Sequence, residues 1–177
     1  MMRRNHGFAL LDLLFVCGII GIIAAIAMPK LLIAKQAAGS ASAIANLRVI
    51  NSSQLAYALT CGNGFYAPDL PRLGVAPPGS NEAYISPDLS VSASPVRSGY
   101  TIQMTATPFS GAPPSCNGLG AGEAGQGFKA GADPVDPVNT RYFGANSDQR
   151  IYENTSSLYA AMPEVGDPDP SVGDPLR

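Results

Sequence analysis

This chain of 177 residues offers little of the side-chain chemistry on which common hydrolases depend. His6 is the only histidine, so the rest of the sequence offers no imidazole for a metal site or for a Ser/His or Cys/His pair. No GxxxxGK[ST] phosphate loop occurs, and the glycine-rich stretch at residues 118–127 does not fit a strand-turn-helix nucleotide motif. The sequence therefore predicts a protein that is not an enzyme, with no catalytic residue and no cofactor.

Two kinds of binding site are also disfavoured. Asp133, Asp136 and Asp148 could gather around calcium, but their spacing fits no compact calcium loop, and we interpret them as solvated turn acids. Charged residues make up only 14% of the chain and the net charge is −2, without the basic stripe that a nucleic-acid binder needs. We expect neither a metal site nor a dedicated nucleic-acid site.

The most informative segment is a long apolar run at residues 8–28, in which Asp12 is the single charge. Its roughly 21 residues would span the hydrocarbon core of a bilayer at about 1.5 Å per residue. Arg3 and Arg4 precede the run, so the positive-inside rule predicts a cytoplasmic N-terminus and an extracytoplasmic remainder. A secretory signal peptide is the competing interpretation, but its apolar region is shorter.

A helical pattern continues beyond the apolar run. Residues 30–60 are rich in Ala, Leu, Gln and Lys, so we predict one helix over residues 8–60 that ends at Gly62. Pro29 lies inside it and is expected to kink or locally melt it. Four apolar residues fall on or near one face of the second half: Ile44, Leu47, Leu55 and Leu59.

These N-terminal residues resemble a known family. The string RRNHGFALLDLLFVCGIIGIIAAIAMP is similar to the class III signal and first helix of type IV pilins and type II secretion pseudopilins. The shared features are a short basic leader, Gly followed by Phe, an acid at the fifth residue after the cut, and a proline near the end of the apolar run. The resemblance covers residues 1–60 and implies that a prepilin peptidase cleaves between Gly7 and Phe8 and methylates the new amine of Phe8.

The family usually has Glu at the position of Asp12, so this chain keeps the charge but loses one methylene of reach. A carboxylate at mid-bilayer costs about 2.5–3.5 kcal/mol on insertion scales, which makes Asp12 a functional candidate. The cationic amine of a cleaved Phe8, in the same chain or a neighbour, would attract it by about 4 kcal/mol at 4 Å and an effective dielectric of 20. We expect this pairing to set the axial register between subunits; the alternative is an acid that snorkels to the cytoplasmic interface.

The remainder predicts a small head with an antiparallel sheet of about three strands. Residues 100–107 alternate apolar and polar side chains, and residues 141–144 and 150–153 make two shorter strands joined by turn formers. The sheet is expected to pack on the apolar stripe of the helix, which gives an α+β fold. Residues 62–99 and 108–139 are interpreted as irregular loops, and residues 163–177 as a disordered tail without apolar periodicity.

The three cysteines divide into two groups. Cys17 lies within the apolar run and is interpreted as a buried small hydrophobe. Cys61 and Cys116 lie in the exported part and are a natural pair in an oxidising compartment, where closing the loop between them would stabilise the head by roughly 4 kcal/mol. Separate free thiols on a reducing face of the membrane are the alternative.

The sequence and the resemblance together predict a structural subunit of a type IV pilus-like filament. Its expected partners are the prepilin peptidase, copies of itself or related subunits, the bacterial inner membrane and the filament assembly machinery. It would occupy the inner membrane before assembly and a surface pilus or periplasmic pseudopilus afterwards. The alternatives are a type II secretion pseudopilin and a permanently anchored extracytoplasmic binding protein. The expected segments are the leader 1–7, the membrane or filament-core helix 8–28, its amphipathic continuation 29–60, the head 61–162 and the tail 163–177. Both Asp12 and Pro29 are expected to act in assembly.

Overall fold

The computed structural model describes residues 6–176, and their side chains from residue 10 onward. Arg3 and Arg4 of the expected leader lie outside the described residues, as does the side chain of Phe8. The chain divides into two compact units, Met1–Ala38 and Gly39–Arg177. Each is treated by itself.

The first unit is helical throughout its described part. It belongs to helix α1, His6–Thr60, which is long and apolar enough by length and composition to cross a membrane. The helix is continuous through Pro29, so the local melting expected there is not seen. Pro29 still lacks the amide hydrogen that would bond to residue 25, because its nitrogen carries the ring.

The second unit contains the end of α1, two one-turn helices and a six-stranded antiparallel sheet in the sequential order β1 to β6. The α+β fold expected from the sequence is therefore confirmed, with twice the expected number of strands. Beyond α1 the elements are α2 Leu70–Leu73, α3 Pro87–Ser90, β1 Val96–Arg97, β2 Tyr100–Thr105, β3 Lys129–Pro134, β4 Tyr142–Asn146, β5 Ile151–Asn154 and β6 Asp174–Pro175.

The hydrophobic core lies between α1 and the sheet. The predicted alternation in β2 is confirmed, because Tyr100, Ile102 and Met104 are buried while the residues between them are half-buried. On the helix side, Leu47 and Ile50 are completely buried in the same core. Burying side chains of this size contributes about 1.5–3 kcal/mol each, so this layer contact is a main source of the head's stability.

The helix face that meets the sheet differs from the predicted stripe. Leu47 is buried and Ile44 packs against the core, but Leu55 is 42% exposed and Leu59 is 75% exposed. The buried face continues instead through Gln54 and Tyr57, at helical spacing from Ile50. Position 55 follows Gln54 by one residue, which turns it about 100° around the helix and away from the sheet.

A buried glutamine made this face hard to recognise. Gln54 is fully buried, yet its amide is satisfied because Nε2 donates to the Ala67 carbonyl at 2.8 Å and Oε1 accepts from the Ala67 N–H at 2.9 Å. The side chain thereby replaces a backbone partner for the segment that follows the helix. A polar residue in the core face broke the apolar pattern on which the stripe was based.

Strand β3 lies inside residues 108–139, which were interpreted as an irregular loop; that interpretation is wrong for this part. The strand reads KAGADP and has no large apolar residue to signal it. Gly131 pairs with Gly144 of β4 across the sheet, and a Cβ at Gly131 would come within 2.7 Å of the Tyr159 Cβ. At Gly144 an added Cβ would meet the Met162 Cε at 2.6 Å. Small residues are needed here because residues 158–162 lie directly on the second face of the sheet.

The β4–β5 hairpin agrees with the two predicted strands at residues 141–144 and 150–153, and they pair antiparallel. The turn is closed by the Gln149 N–H donating to the Asn146 carbonyl at 3.1 Å, with Gln149 at φ 66°. Strand β4 extends two residues further than predicted, to Asn146, whose amide donates to the Gly166 carbonyl at 2.6 Å.

The described part of residues 163–177 differs from the expected disordered tail. Glu164 accepts hydrogen bonds from the Thr107 backbone and hydroxyl at 2.8 and 2.7 Å, and β6 pairs with β5 at the edge of the sheet. Leu176 adds a partly buried apolar contact to the core. Hydrogen bonds to loops replace the missing apolar periodicity, so the sequence pattern alone did not reveal this packing.

Candidate functional site

The most distinctive surface of the first unit is its exposed apolar side chains. Leu11 is 72% exposed, and its neighbours along the helix are similarly uncovered. Among the side chains that the structure describes in this unit, the large apolar ones exposed by more than 40% are Leu10, Leu11, Leu13, Leu14, Phe15, Val16, Ile19, Ile20, Ile22, Ile23, Ile26, Met28, Leu31, Leu32 and Ile33. Soluble monomers rarely expose contiguous apolar patches above a few hundred Å², so this surface requires lipid or protein around it.

Asp12 is the one acid on this apolar surface. It is exposed and forms no ion pair with any side chain that the structure describes. Its position one helical turn after Phe8 follows from the continuous helix between them. The cost of an acid on this surface can be compensated in two ways: by a cationic group of its own or another chain, or by the polar interface of a bilayer.

Two lysines mark the other end of the apolar stretch. Lys30 and Lys35 are exposed, and no described residue forms an ion pair with either. Asp12 and Lys30 are separated by 18 residues, about 27 Å of helix at 1.5 Å per residue, close to the thickness of a hydrocarbon core. The charges thus bound a segment of membrane-spanning length.

Cys17 is free and exposed on the apolar surface. The interpretation of Cys17 as a buried residue is therefore wrong for the single chain. Burial would come only from whatever covers the helix, as for its leucine and isoleucine neighbours.

The predicted pairing of Cys61 with Cys116 is confirmed as a disulfide that closes 55 residues of chain. It joins the residue directly after α1 to the loop between β2 and β3, and the Cys116 N–H also donates to the Cys61 carbonyl at 3.1 Å. Asn63, at φ 53°, donates its amide to the Pro114 carbonyl at 3.2 Å. The helix end and the loop are therefore fastened together at several points.

The loop that carries Cys116 has a small core of its own. Ala112, Leu119 and Ala124 are buried together, and Phe65 packs against them from the segment after the helix. Phe65 also stacks on Phe109 with a centroid distance of 5.9 Å. The disulfide holds this satellite cluster against the end of α1.

A buried polar network at the start of the head was not recognised in the sequence. The Tyr100 hydroxyl donates to the Arg141 carbonyl at 3.1 Å and accepts from the Asn139 amide at 2.9 Å. It also lies 2.9 Å from the Ser40 hydroxyl, which must then be the donor because the phenol has one proton. Close approach of Ser98, whose carbonyl lies 2.9 Å from where a Gly39 Cβ would be, requires a small residue on the helix there.

Among the described residues of the head, three ion pairs lie on the surface: Arg97 with Asp88, Arg141 with Glu153, and Arg150 with Asp167. The hydrogen bonds from Arg141 lower the pKa of the Glu153 carboxyl below its ordinary range. The pKa of Asp167 is lowered first by a hydrogen bond from the Tyr152 hydroxyl and then by Arg150. The first pair connects β1 with α3, and the other two connect the residues beside β4 and β5 with β5 and the C-terminal segment.

The acids considered for calcium serve local roles. Asp133 accepts from the Ser157 hydroxyl at 2.6 Å, Asp136 from the Val138 N–H at 3.0 Å, and Asp148 from the Gly166 N–H at 2.8 Å. Within residues 6–176, no group of three or more His, Cys, Asp or Glu side chains is placed to hold a metal ion.

No protein-family model matches the chain, and no curated protein or solved structure is significantly similar to it.

Proposed function

We propose that the chain is a structural subunit of a type IV pilus-like filament. The precursor is inserted in the bacterial inner membrane, cleaved between Gly7 and Phe8, and assembled by packing of its N-terminal helix. The observation that carries this proposal is the uncovered apolar surface of α1 between Leu10 and Ile33, which a soluble monomer would not expose.

The same surface suits both stages of such a life cycle. Before assembly, lipid tails cover the apolar side chains; afterwards, the helices of neighbouring subunits do so, and both environments are comparably apolar. The helix is long enough for the first role, and no described element of its own unit covers it, which leaves it available for the second.

Asp12 gives the assembly its register. Cleavage after Gly7 would create a cationic amine at Phe8, and a neighbouring subunit would offer the same amine to the Asp12 carboxylate. Moving a subunit along the filament axis would separate these charges in apolar surroundings, where the attraction is strong. The pairing therefore favours one axial position over the others.

The head is proposed to lie outside the cytoplasm. Its disulfide suits an oxidising compartment, in agreement with export of everything after the apolar run. The proposed partners are the prepilin peptidase, other copies or related subunits, and the assembly machinery of the inner membrane.

Mass spectrometry of the N-terminal peptide tests the proposal in two fractions of the native cell, sheared surface material and membranes. A methylated peptide that starts at Phe8 and is abundant in the sheared fraction supports a pilus subunit. The same peptide confined to membranes supports the alternative of a type II secretion pseudopilin. Mature chains that still carry the leader would overturn the filament proposal and leave a permanently anchored binding protein.

A further inference from the structure

The edge of the sheet next to β1 is interrupted by a proline. Strand β1 pairs with β2 through Val96 opposite Thr101 and Arg97 opposite Tyr100. The same register places Pro95 opposite Ile102, and the Ile102 N–H does donate to the Pro95 carbonyl at 2.8 Å. Pro95 has no N–H to return, so regular pairing stops there.

The interruption leaves the backbone of Met104 unpaired on this side. In an antiparallel strand, alternate residues point their N–H and C=O groups to the same side. Ile102 and Ala106 both point away from β3, since their N–H groups donate to Pro95 and, at 3.1 Å, to the Pro68 carbonyl. Met104 lies between them and points the same way, and no described residue forms a backbone hydrogen bond with it on that side.

A groove of about 380 Å³ opens at this place. Its polar lining comes from segments far apart in the sequence: Asp69, Ser94, Gln103, Thr105 and Tyr159, with Met104 and Ala93 between them. Among the described residues, the Gln103 amide and the Ser94 hydroxyl have no hydrogen-bond partner, whereas Asp69 uses one carboxylate oxygen to cap α2. The groove therefore has side-chain donors and acceptors without protein partners, and Met104, which is 3% exposed, borders it with an unpaired backbone.

The chemistry of the lining limits the ligand. No cationic side chain lines the groove and Asp69 is its one acid, so a charged phosphate or carboxylate ligand is disfavoured. Flat apolar faces are present beside the polar groups in Pro68 and Pro108, and the Tyr159 ring also lines the groove, with Lys129 Nζ 5.6 Å from its centroid. A suitable ligand alternates donors and acceptors around its edge and has a C–H face to lay on these surfaces.

The length of the open edge limits the ligand further. It is closed at one end by the bond from Ile102 to Pro95 and at the other by the bond from Ala106 to Pro68. An added peptide strand pairs with every second residue over several residues, and here a single residue, Met104, is available. The opening therefore fits a short, compact ligand better than an extended chain.

We propose that this groove binds a single ring of a neutral saccharide. Each sugar hydroxyl can both donate and accept, which matches the Met104 backbone and the Gln103 amide together. The groove volume lies at the small end of ligand sites, as a one-ring ligand requires. Binding at this site does not depend on filament assembly.

The test uses the full chain in lipid nanodiscs, prepared without sugar-headed detergents and labelled with ¹⁵N. Glucose, galactose and N-acetylglucosamine are added separately while the Met104 amide and the Gln103 side-chain NH₂ are followed by NMR. We expect saturable shifts of both signals with at least one sugar. Ser94→Tyr, which fills the groove, is expected to abolish them.

A matched pair of variants locates the site. Gln103→Ala is expected to weaken the affinity about 2- to 10-fold through loss of a hydrogen bond. Thr101→Ala, on the same side of β2 but outside the groove, is expected to leave the affinity unchanged. If Gln103→Ala disturbs the fold, Ser94→Ala replaces it with the same expectation.

Three results would overturn the proposal. The first is the absence of saturable shifts with every sugar at its highest soluble concentration. The second is equal weakening by Gln103→Ala and Thr101→Ala. The third is that an extended alanine tripeptide shifts the Met104 amide while the sugars do not, because the site would then recognise a peptide backbone.

Discussion

At the scale of single residues, a substitution of Asp12 distinguishes an effect on cleavage from an effect on assembly. Under the proposed function, Asp12→Ala is expected to leave cleavage after Gly7 intact, because the change lies outside the cleaved bond. It should reduce the yield of sheared filaments by at least about tenfold, since losing an attraction worth more than 1.4 kcal/mol at each contact shifts association that far. The measurement combines N-terminal mass spectrometry with quantification of sheared material.

The matched variants for this test are Asp12→Glu and Asp12→Asn. Glutamate keeps the charge and adds one methylene of reach, so filaments are expected at or above the unmodified yield. Asparagine keeps the shape without the charge, so it should behave like alanine. Normal filament yield with both Ala and Asn would assign Asp12 to the membrane interface instead of to subunit register.

Tyr100 organises the first polar contact between the helix and the sheet of the head. Tyr100→Phe removes the hydroxyl that joins Ser40, Asn139 and the Arg141 carbonyl. Partners left unsatisfied in a buried site cost about 1–3 kcal/mol in the free energy of unfolding. Chemical denaturation followed by near-UV circular dichroism measures this change.

Tyr142→Phe is the control for that change, because Tyr142 is a half-buried tyrosine on β4 of the same sheet without a side-chain hydrogen bond to the described residues. A loss below about 0.5 kcal/mol is expected for it, as for other surface substitutions. Equal losses for both tyrosines would show that the Tyr100 network adds no stability.

The ion pair between Arg141 and Glu153 gives the head a defined acid sensitivity. Its hydrogen bonds lower the pKa of folded Glu153 below the ordinary value of 4.5, so the stability from the pair is fully present above that value. It is lost as the pH falls through the lower, folded pKa, when the carboxyl becomes protonated. Both side chains are partly exposed, which limits the contribution at pH 7 to no more than about 1 kcal/mol.

The check compares the unmodified chain with Glu153→Gln across the acid range. The unmodified chain should be more stable at pH 7, and the difference should vanish at the lowest pH values. Glu82→Gln serves as the control because Glu82 forms no ion pair with a described residue. A difference that stays constant with pH would mean that charge pairing is not its cause.

At the scale of elements, the sequence predicts those helices and strands that have a clear local pattern of residues. Helix α1, β2 and the β4–β5 hairpin have clear periodicity or turn chemistry, and all were predictable within a few residues. Strand β3 was not predictable from the sequence. It needs small residues because residues 158–162 pack on Gly131, and only the tertiary structure brings these segments together. The buried face of α1 was misassigned after Leu47 because Gln54 is polar although it is fully buried, so it does not fit the apolar pattern of a core face.

The candidate functional residues also include some that the sequence predicts and some that it does not. Asp12 and the cysteine pair could be found from composition and compartment, since a charge in an apolar run and cysteines in an exported segment are signals in themselves. The groove at Met104 could not be predicted, because residues near positions 68, 94, 103 and 159 meet there only after folding. No single segment of it has the pattern of a binding motif.

The disulfide is expected to stabilise mainly one segment, the loop between β2 and β3. A Cys61→Ser and Cys116→Ser double variant is expected to lose roughly 4 kcal/mol in the free energy of unfolding, as estimated for a loop of this length. Hydrogen exchange should rise first in the satellite cluster at residues 109–124, which has a small core of its own. Exchange in the central strands should rise less.

Cys17→Ser is the control, because Cys17 is free and lies outside the head unit. It should change neither stability of the head nor exchange in the loop. Uniform acceleration across the whole head in the double variant would instead mean that the loop and the sheet unfold as one cooperative unit.

At the scale of the whole molecule, the chain contains two units with opposite relations to water. Met1–Ala38 exposes its described apolar side chains, whereas Gly39–Arg177 contains its own hydrophobic core. A unit with its own core can fold alone, and one that exposes its apolar surface needs lipid or other subunits. The helix α1 belongs to both, so its second half has to be counted as part of the head.

This division predicts where the chain can be shortened. A chain that begins at Gly39 retains every residue of the main core and is expected to fold as a soluble head, with dispersed NMR signals and a cooperative unfolding transition. A chain that begins at Asn51 lacks Leu47 and Ile50, which contribute about 1.5–3 kcal/mol each, and should be unfolded or molten because domains of this size are marginally stable. A folded head without residues 39–50 would show that the sheet does not need the helix, whereas an unfolded chain from Gly39 would show that the apolar stretch also supports the head.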